Sequence, residues 1–419
     1  MISDWTTRTL GELTEFKSGK TPSKSNPEFW EGHIPWISAS SMHGNRYSYS
    51  KLRITDAAIK AGSIILDGNT ILLLVRGSTL HNHIPVGITT AKVTFNQDVK
   101  AIIPKDESVS PWFLLYWLMS KENELLGMVE NTGIGAGKLD TKVLKKLEIR
   151  IPTKHDQSKL IAFFKSIDDK IHLNHQINQT LESIVQTIFK SWFVDFDPVK
   201  AKMEGCEPEG MDAETAAVFP DKLVDSELGM IPERWKVKPI SGVTTVGIGK
   251  TPPRKEPKWF SKNSNDVTWV SIKDMGKSGT YILESREQIT DEARVKFNVK
   301  TVPKNSVILS FKLTIGRVAV ASHDLSTNEA IAHFVLPETS TLSNEYLYLY
   351  LKQFDYSTLG STSSIAYAIN SKIVKTIPLL LPDDPILNRF QEIISPVFEM
   401  IKNNQKESAS LIWRGSRLT

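Results

Sequence analysis

The chain has 419 residues, enough for two or three domains at ~150 residues each. Apolar residues make up 40% and charged residues 23%, which is typical of folded soluble proteins and excludes wholesale disorder. A single cysteine excludes a disulfide framework, no apolar run reaches the roughly 20 residues of a membrane-spanning helix, and no secretory signal is visible, so we expect a cytoplasmic protein without membrane contact.

The predicted elements begin with a mixed α/β region at residues 1–153. Strands are predicted at residues 70–76, 85–94 and 99–103, and a helix at residues 111–119. Glycine, proline and asparagine residues between these segments supply the turns. The region has a net charge of +3 over residues 1–150.

A long helix is predicted next, over residues 154–194. Its apolar positions are spaced alternately four and three residues apart, so they form a seam that repeats every 3.5 residues, as in paired helices. The seam consists of Leu160, Phe164, Ile167, Ile171, Asn174, Asn178, Leu181, Val185, Ile188 and Trp192. Asn174 is a polar seam position that would set the register of the pair.

The end of this helix is rich in aromatic residues, namely Phe189, Trp192, Phe193 and Phe196. These four side chains, the aromatic exit, are predicted to form an apolar surface with little nearby to cover it, which suits a protein partner. An ordinary hydrophobic plug is the alternative. An acidic linker follows at residues 195–230, with a net charge of −7.

The rest of the chain repeats the first part. At a shift of about 230 residues, Gly19-Lys20-Thr21-Pro22 aligns with Gly249-Lys250-Thr251-Pro252, and Trp36-Ile-Ser38 aligns with Trp269-Val-Ser271. Asn96-Gln97 likewise aligns with Asn328-Glu329. Because such matches occur in the same order along both halves, we infer a tandem duplication with a second mixed α/β region at residues 231–383.

This second region carries a net charge of +7 over residues 231–382. Strands are predicted at residues 306–311, 317–322 and 330–336, and a helix at residues 345–351. Two basic regions separated by an acidic segment indicate that an anionic polymer binds in two places. A solvated surface with a charged linker is the alternative.

A second long helix is predicted over residues 384–419, with Asn404 aligned to Asn174. The simplest structure pairs the two long helices in antiparallel fashion, and the alternative packs each helix on its own domain. Pro396 is expected to kink the second helix or to delay its start.

The sequence does not match the catalytic and metal-binding motifs that it superficially resembles. A phosphate-binding loop needs a glycine where Thr14 and Thr244 stand. His172 and His175 lack carboxylate or cysteine companions, so a solvated pair is favoured over a zinc site. These tests favour a chain with no catalytic residues and no bound metal.

The duplicated domain ending in a long helix, with Phe189-Lys-Ser-Trp-Phe-Val-Asp-Phe-Asp-Pro198 at the helix exit and Gly229-Met-Ile-Pro-Glu-Arg-Trp235 opening the second domain, resembles the specificity subunits of Type I restriction-modification systems. The resemblance implies an α+β fold with two tandem target recognition domains, separated by two long antiparallel coiled-coil helices about an approximate two-fold axis. The chain stops soon after the second seam without a second copy of the aromatic exit, where members of the family often continue.

The same resemblance implies partners and cofactors. The partners are double-stranded DNA, two methyltransferase subunits and restriction subunits. The cofactors serve the complex and not this chain: S-adenosylmethionine for methylation, and ATP with magnesium for restriction. Each domain would read one half of a bipartite, asymmetric DNA site.

Loops that combine glycine, a cation and small hydroxyl residues are the best candidates for DNA contact, because the backbone can approach phosphate while donors reach base edges. In the first domain these residues are Lys20, Thr21, Ser38, Ser40, Ser41, Arg76 and Lys138. In the second domain they are Lys250, Thr251, Ser271, Lys273, Lys312, Arg317 and Tyr367. A turn or a surface charge is the alternative for each of them.

Two other functions compete with DNA recognition by a non-catalytic subunit. A stand-alone nuclease or methyltransferase would act on DNA without partners. An interaction scaffold would hold two proteins and ignore DNA sequence.

Overall fold

The computed structural model describes residues 5–132, 135–359 and 369–418, with side chains up to Ile412 in the last helix. Two compact units make up the chain, Met1–Lys170 with Ile412–Thr419 and Ile171–Leu411. Both units combine helices with strands, so the fold class is α+β, as predicted.

The first unit contains a five-stranded sheet of order β2-β11-β7-β9-β4 and a four-stranded sheet of order β5-β3-β10-β6. Strands β1 and β14 form a ribbon, and β12, β13 and β8 form a small third sheet. The strands are β1 (Thr6–Thr9), β2 (Thr14–Ser18), β3 (Trp30–Ile37), β4 (Arg46–Tyr47), β5 (Arg53–Ile54), β6 (Ile65–Leu66), β7 (Ile71–Leu74), β8 (Arg76–Gly77), β9 (Val86–Thr89), β10 (Val93–Phe95), β11 (Val99–Pro104), β12 (Glu130–Asn131), β13 (Gly137–Lys138) and β14 (Glu148–Ile151). The helices are α1 (Leu10–Leu13), α2 (Asp56–Lys60), α3 (Pro111–Ser120), α4 (Glu122–Gly127), α5 (Thr141–Leu144) and the long α6 (Lys154–Phe193), which continues into the second unit.

Local sequence explains these elements. Every residue of β7 is buried, which is why this strand appears as an uninterrupted apolar run, and every residue of β9 is buried as well. The strand predicted at residues 85–94 is two strands in different sheets, because the exposed turn at residues 90–92 redirects the chain. Helix α1 begins at a capping box in which Thr9 and Glu12 exchange hydrogen bonds.

The second unit has a five-stranded sheet of order β18-β26-β23-β24-β21 and a four-stranded sheet of order β19-β22-β20-β25. Its strands are β15 (Leu223–Ser226), β16 (Gly229–Pro232), β17 (Lys236–Pro239), β18 (Thr245–Ile248), β19 (Phe260–Ser261), β20 (Val267–Val270), β21 (Tyr281–Ile282), β22 (Gln288–Ile289), β23 (Val307–Ser310), β24 (Val318–Ala321), β25 (Ser326–Thr327), β26 (Ile331–Val335) and β27 (Pro378–Leu381). Its helices are α7 (Asp197–Met203), α8 (Ala213–Ala217), α9 (Ile272–Met275), α10 (Asp291–Lys296), α11 (Asn344–Gln353), α12 (Ser371–Lys375) and the long α13 (Asp384–Leu418).

The two domains share the strand order of the five-stranded sheet and the pairing of the tryptophan strand in the four-stranded sheet. In each five-stranded sheet the last pair of strands is parallel, β4 with β9 and β21 with β24, and the other neighbours are antiparallel. In each four-stranded sheet the strand that carries the shared tryptophan pairs in parallel, Trp36 with Thr94 and Trp269 with Ser326. The structure thus confirms the duplication inferred from the sequence.

Within the second unit, α6 and α13 pack side by side in opposite directions. Near the end of α6, the rings of Phe189 and Trp192 lie 6.0 and 5.6 Å from that of Phe390. Earlier in α6, Asn178 Nδ2 donates to the Ile401 carbonyl oxygen at 3.0 Å. Because a later residue of one helix meets an earlier residue of the other, the pair is antiparallel, as predicted.

Asparagines form a polar layer in this helix pair. Asn404 Nδ2 donates to Asn178 Oδ1 at 2.9 Å, while Asn174 Nδ2 donates to a Glu407 carboxylate oxygen at 2.9 Å and lies 3.3 Å from Ser408 Oγ. Asn174 and Asn178 are both buried. Sliding one helix along the other would separate these partners and leave buried amides unpaired, which is how such a layer can favour one register.

The second long helix starts earlier than Pro396 suggested. Helix α13 begins at Asp384 and runs through the proline without interruption, so the expected delay is wrong. An internal proline costs about 3 kcal/mol. Burial of Phe390, Ile394, Phe398 and Ile401, all at most 1% exposed, offsets that cost.

The segment predicted as an acidic linker is ordered. Residues 195–230 contain α7, α8, β15 and the start of β16. Val199 and Phe219 are buried in the core of the second unit, and Arg389 of α13 lies 3.3 Å from the Asp212 carboxylate. The acidic residues therefore decorate a folded subdomain of the second unit.

Candidate nucleic-acid interface

The first Gly-Lys-Thr-Pro loop follows β2 and lies against the end of β10. A Cβ atom on Gly19 would lie 2.2 Å from the Phe95 carbonyl oxygen, so only glycine permits this approach. The Lys20 N–H donates to the same oxygen at 2.9 Å, and the Trp36 indole N–H donates to the Lys20 carbonyl at 3.2 Å. The shared glycine and tryptophan therefore fix the backbone of this loop.

The two candidate side chains of the loop also have partners within the domain. Thr21 Oγ1 donates to the Gln97 side-chain oxygen. Lys20 is exposed, and its Nζ donates to the Ala61 carbonyl oxygen at the end of α2, at 2.7 Å. A phosphate at this position would compete with that carbonyl for the ammonium group.

The second domain repeats this loop closely. A Cβ atom on Gly249 would lie 2.3 Å from the Thr327 carbonyl oxygen, to which the Lys250 N–H donates at 2.9 Å. The Trp269 indole donates to the Lys250 carbonyl at 3.1 Å, and Thr251 Oγ1 donates to the Glu329 carboxylate. Within the described part of the chain, the exposed Lys250 ammonium has no hydrogen bond or ion pair. It is therefore more accessible to phosphate than its counterpart in the first domain.

The Trp-x-Ser segments lead into short helical turns. Ser38 N–H donates to Ser41 Oγ at 2.9 Å, and the exposed Ser40 hydroxyl lies 3.0 Å from that of Ser38. In the second domain, Ser271 donates from both its N–H and its Oγ to the Asp274 carboxylate, at 2.9 and 2.6 Å. Three of these serines thus cap turns, whereas Ser40 reaches solvent.

Lys273 lies in the turn that Ser271 begins. Its side chain is exposed and has no partner among the described residues. Lys273 is therefore, like Lys250, a cation of the second domain that is available to an anionic ligand.

A basic cluster forms at one end of the first domain's sheets. Arg76 of β8 lies directly opposite Lys138 of β13, and both line a cavity of about 230 Å³ with Lys100 of β11. Gln97, the partner of Thr21, also lines it. The structure thus brings Arg76 and Lys138 together with the first loop, although they are distant in sequence.

Lys100 belongs to this cluster but was missed by the sequence analysis. Burial lowers the pKa of Lys100, the nearby Arg76 charge lowers it further, and Asp98 opposes both effects. Its Nζ donates to Ser18 Oγ. A lysine inside the otherwise apolar strand Val99–Pro104 was the available signal.

The corresponding end of the second domain is less basic. Lys312 occupies the place of Arg76, and its ammonium lies over the Phe311 ring at 5.4 Å. Arg317 donates to the Ile272 carbonyl oxygen at 2.6 Å and packs on Gly276, so it supports the turn of α9. Ala332 takes the place of Lys100, so this end offers fewer cations than the basic cluster.

Some predicted positions lie outside the described residues. Tyr367 falls within the undescribed residues 360–368, and its role stays a prediction. The glycine-rich loop before Lys138 is described only in part, because Gly133 and Ile134 are omitted.

The aromatic exit is not the exposed surface that the sequence suggested. Phe189, Trp192 and Phe193 are 1%, 6% and 3% exposed. The Phe193 ring lies 4.8 Å from that of Phe390 and 5.7 Å from that of Trp235. The expectation of an uncovered patch is wrong, because residues far away in sequence cover it.

Phe196 packs at the margin of the same cluster. Its ring lies 5.7 Å from Trp235, and its backbone adopts a left-handed conformation, with φ at 57°, that ends the long helix and starts α7. Three residues of the exit are therefore core residues of the second unit, and Phe196 packs against that core beside Trp235 in the opening segment of the second domain.

A sequence profile for the Type I restriction modification DNA specificity domain matches the chain twice, over residues 2–183 and 232–411. The chain belongs to this family. Each match contains one domain and the helix that follows it, so the duplication seen in the strand order is a duplication of the specificity domain.

Curated relatives extend over nearly the whole chain. The MjaIX specificity subunit of Methanocaldococcus jannaschii is 29% identical over 417 residues, which is 96% of this chain and 89% of the relative. The HindI specificity subunit of Haemophilus influenzae is 26% identical over 455 aligned positions, covering 98% and 96%. Both are named as specificity subunits of Type I restriction enzymes.

A solved structure has the same fold. The crystal structure of the S subunit of a Type I restriction-modification system from M. genitalium superposes with a TM-score of 0.54, covering 99% of this chain and 95% of the other at 14% identity. The fold with two specificity domains is therefore also that of this S subunit.

Among the described residues, no group of three or more histidine, cysteine or acidic side chains is arranged to hold a metal ion. None of the described helices is long and apolar enough to cross a membrane.

Proposed function

We propose that this chain reads a bipartite double-stranded DNA site, one half with each specificity domain, as the specificity subunit of a Type I restriction-modification complex. The observation that carries this proposal is the repetition of one loop geometry with different neighbouring side chains. A shared backbone places equivalent positions on the DNA, and unlike side chains at those positions give two unlike half-sites.

In the first domain, Arg76 and Lys138 of the basic cluster contact the duplex. Arginine donates in bidentate fashion to guanine O6 and N7, so Arg76 is assigned to base reading. Lys138 lies 3.8 Å from Glu130 on the exposed side of its strand and is assigned to phosphate. Lys20 and the exposed hydroxyl of Ser40 complete this surface.

In the second domain, Lys250, Lys273 and Lys312 are exposed cations of the candidate loops. Lys250 and Lys273 are assigned to phosphate, because neither has a partner among the described residues. Lys312, at the place of Arg76, is assigned to a base edge. Arg317 supports the turn that presents Lys273.

Methyltransferase docking belongs on the exposed face of α6 and not on the aromatic exit. Leu173 and Ile184 are 49% and 46% exposed, and their separation of eleven residues, about three turns, places them on one face. Exposed apolar side chains in such a row suit a protein partner. In this proposal two methyltransferase subunits bind, and restriction subunits join through them.

Catalysis is assigned to those partners. S-adenosylmethionine would serve the methyltransferase subunits, and ATP with magnesium would serve the restriction subunits. This chain would contribute recognition and positioning, within the cytoplasm.

The test is to reconstitute the chain with its methyltransferase subunits and to sequence the methylated DNA by a single-molecule method. Two short motifs at a fixed spacing are expected, and Leu173→Glu with Ile184→Glu should abolish co-purification while the fold is retained. Binding that ignores DNA sequence would contradict recognition and favour a scaffold. Cleavage or methylation by the purified chain alone would contradict a non-catalytic role.

A further inference from the structure

The first unit contains an apolar cavity that no described side chain fills. Its volume is about 570 Å³, within the ~300–1,000 Å³ typical of binding sites. Aromatic and aliphatic side chains line it, among them Trp5, Phe113, Trp117, Leu160 and Phe164. Trp117, Leu160 and Phe164 are only half-buried, so apolar surface remains in contact with solvent.

The duplication shows what covers the same surface in the second domain. Strand register equates Trp5 with Trp235, and the shared offsets equate Phe113 with Tyr346 and Leu160 with Phe390. These three second-domain residues are at most 4% exposed. The surface that no described side chain covers in the first unit is therefore covered in the second.

In the second domain, the side chains of the aromatic exit cover this surface. The Phe193 ring lies 5.1 Å from Tyr346, 4.8 Å from Phe390 and 5.7 Å from Trp235. Phe189 and Phe196 extend the contact to Tyr346 and Trp235, at 5.3 and 5.7 Å. One segment with aromatic residues at positions i, i+4 and i+7 thus fills the second-domain equivalent of the cavity.

We infer that the cavity of the first unit is a docking site for an aromatic helix-ending segment of a partner protein, with the same spacing as Phe189, Phe193 and Phe196. The chain's own exit cannot serve, because it is already buried in the second unit. The inference does not depend on DNA reading, so it can fail while the proposed function stands.

A positive charge at the rim of the cavity indicates which charge the partner segment should carry. Arg150 occupies the place of Leu380, is exposed and has no ion pair among the described residues. Its guanidinium lies 5.8 Å from the Trp5 ring, at the edge of the apolar surface. The partner segment is therefore expected to place a carboxylate beside its aromatic residues, as Asp195 and Asp197 follow Phe193 in this chain.

The probe is a fluorescein-labelled peptide with the sequence of residues 186–200, titrated into the full chain and followed by polarisation. Saturable binding is expected. Leu160→Arg, which places a charge in the cavity, and Trp117→Ala, which removes part of its wall, should each weaken binding about tenfold or more. Phe163→Arg is the matched control: Phe163 is on the same helix, 49% exposed and outside the lining, so binding should be unchanged.

A peptide carrying Phe193→Ala and Phe196→Ala tests the other side of the contact without altering the protein, and it should lose binding. Arg150→Glu should weaken binding, and Arg150→Lys should retain it. Absence of binding, or equal binding to Leu160→Arg and wild-type chains, would overturn the inference. Sedimentation that shows a dimer broken by Leu160→Arg would also overturn it, because a second copy would then be the occupant.

Discussion

The two specificity domains have the same backbone but meet their long helices through different chemistry. In the first domain, Asn45 donates to Asp168 of α6 at 2.6 Å, and Arg46 pairs with Asp169 at 2.5 Å. Earlier in the same helix lies the apolar cavity, which no described side chain fills. In the second domain the contact is aromatic and closed, with Phe390 and Phe398 of α13 each 1% exposed.

A second contrast lies at the sheet end that carries the basic cluster in the first domain and at the equivalent end of the second. The first domain gathers Arg76, Lys100 and Lys138, whereas the second has Lys312 and Ala332 at the first two of these places. The residues common to both domains, such as Gly19 with Gly249 and their tryptophan partners, hold the backbone. The lesson is that repeated residues hold the same loop backbone in both domains, while the residues that differ give the two domains unlike surfaces at equivalent places.

The largest expected effect tests the closed contact against the open one. Phe390→Ala should destabilise the second unit by about 3–5 kcal/mol, because a fully buried ring is removed from an aromatic cluster. Leu160→Ala, at the equivalent position of the half-open cavity, should cost less than about 1.5 kcal/mol. Hydrogen exchange of the amides in α11 and α3 reports the two units separately. Equal losses of stability in the two variants would contradict the difference between the covered and the uncovered helix contact.

Acid sensitivity should distinguish the same two domains. His333 is buried in β26, where the first domain has Ala101, and burial lowers the pKa of His333 to about 4, with a smaller contribution from Lys300. Its folded pKa is below the unfolded value of ~6.5, so its stabilising contribution is present above pH ~6.5 and is lost as the pH falls toward 4.

Between pH 6.5 and 5 the second unit should therefore lose about 1.5 kcal/mol through this residue. Denaturation of the wild-type chain and of His333→Gln at both pH values measures the difference. The variant should lose less stability on acidification, and a parallel loss in both proteins would assign the acid sensitivity to other groups.

Base preference should change in one half-site at a time. Arg76→Ala is expected to relax discrimination in the first half-site by about 1–3 kcal/mol, and Lys312→Ala to affect only the second. Competition binding with DNA that carries single base changes in either half measures both. Loss of discrimination spread over both halves would argue against independent readers.

The smallest effect separates the two loop lysines. Lys250→Ala should weaken DNA binding without relaxing base preference and reduce the slope of log affinity against log salt by about 1. Lys20→Ala should change the slope less, because the Lys20 ammonium already bonds the Ala61 carbonyl. A salt titration of DNA binding by both variants compares the two slopes. A larger change in slope for Lys20→Ala than for Lys250→Ala would contradict the assignment of Lys250 as the more accessible phosphate contact.

Much of the fold could be predicted because its signals are local or repeated. The apolar runs predicted the central strands, and the 3.5-residue seam predicted α6. The sequence matches that occur in the same order in both halves predicted the duplication. The division of residues 85–94 into β9 and β10 was missed, because membership of two sheets depends on distant partners.

The site was less predictable for the same reason. Phe193 looked exposed because Trp235 and Tyr346, which cover it, are 42 or more residues away in the chain. Arg317 looked like a free cation, although a carbonyl of α9 binds it. Gly19 and Lys20 were recognised because their role was repeated, and Lys100 was not, because the second domain has alanine there.

The ribbons at the base of the two domains bear on how such proteins can be rearranged. Thr6 pairs with Ile151, and Lys236 pairs with Leu381, so the chain enters and leaves each domain on adjacent antiparallel strands. A graft that keeps those two strands has to match only one junction, whatever loops lie between them. Because the first and last strands of each domain are held side by side, a substituted domain that keeps these two strands would join the long helices through the same geometry.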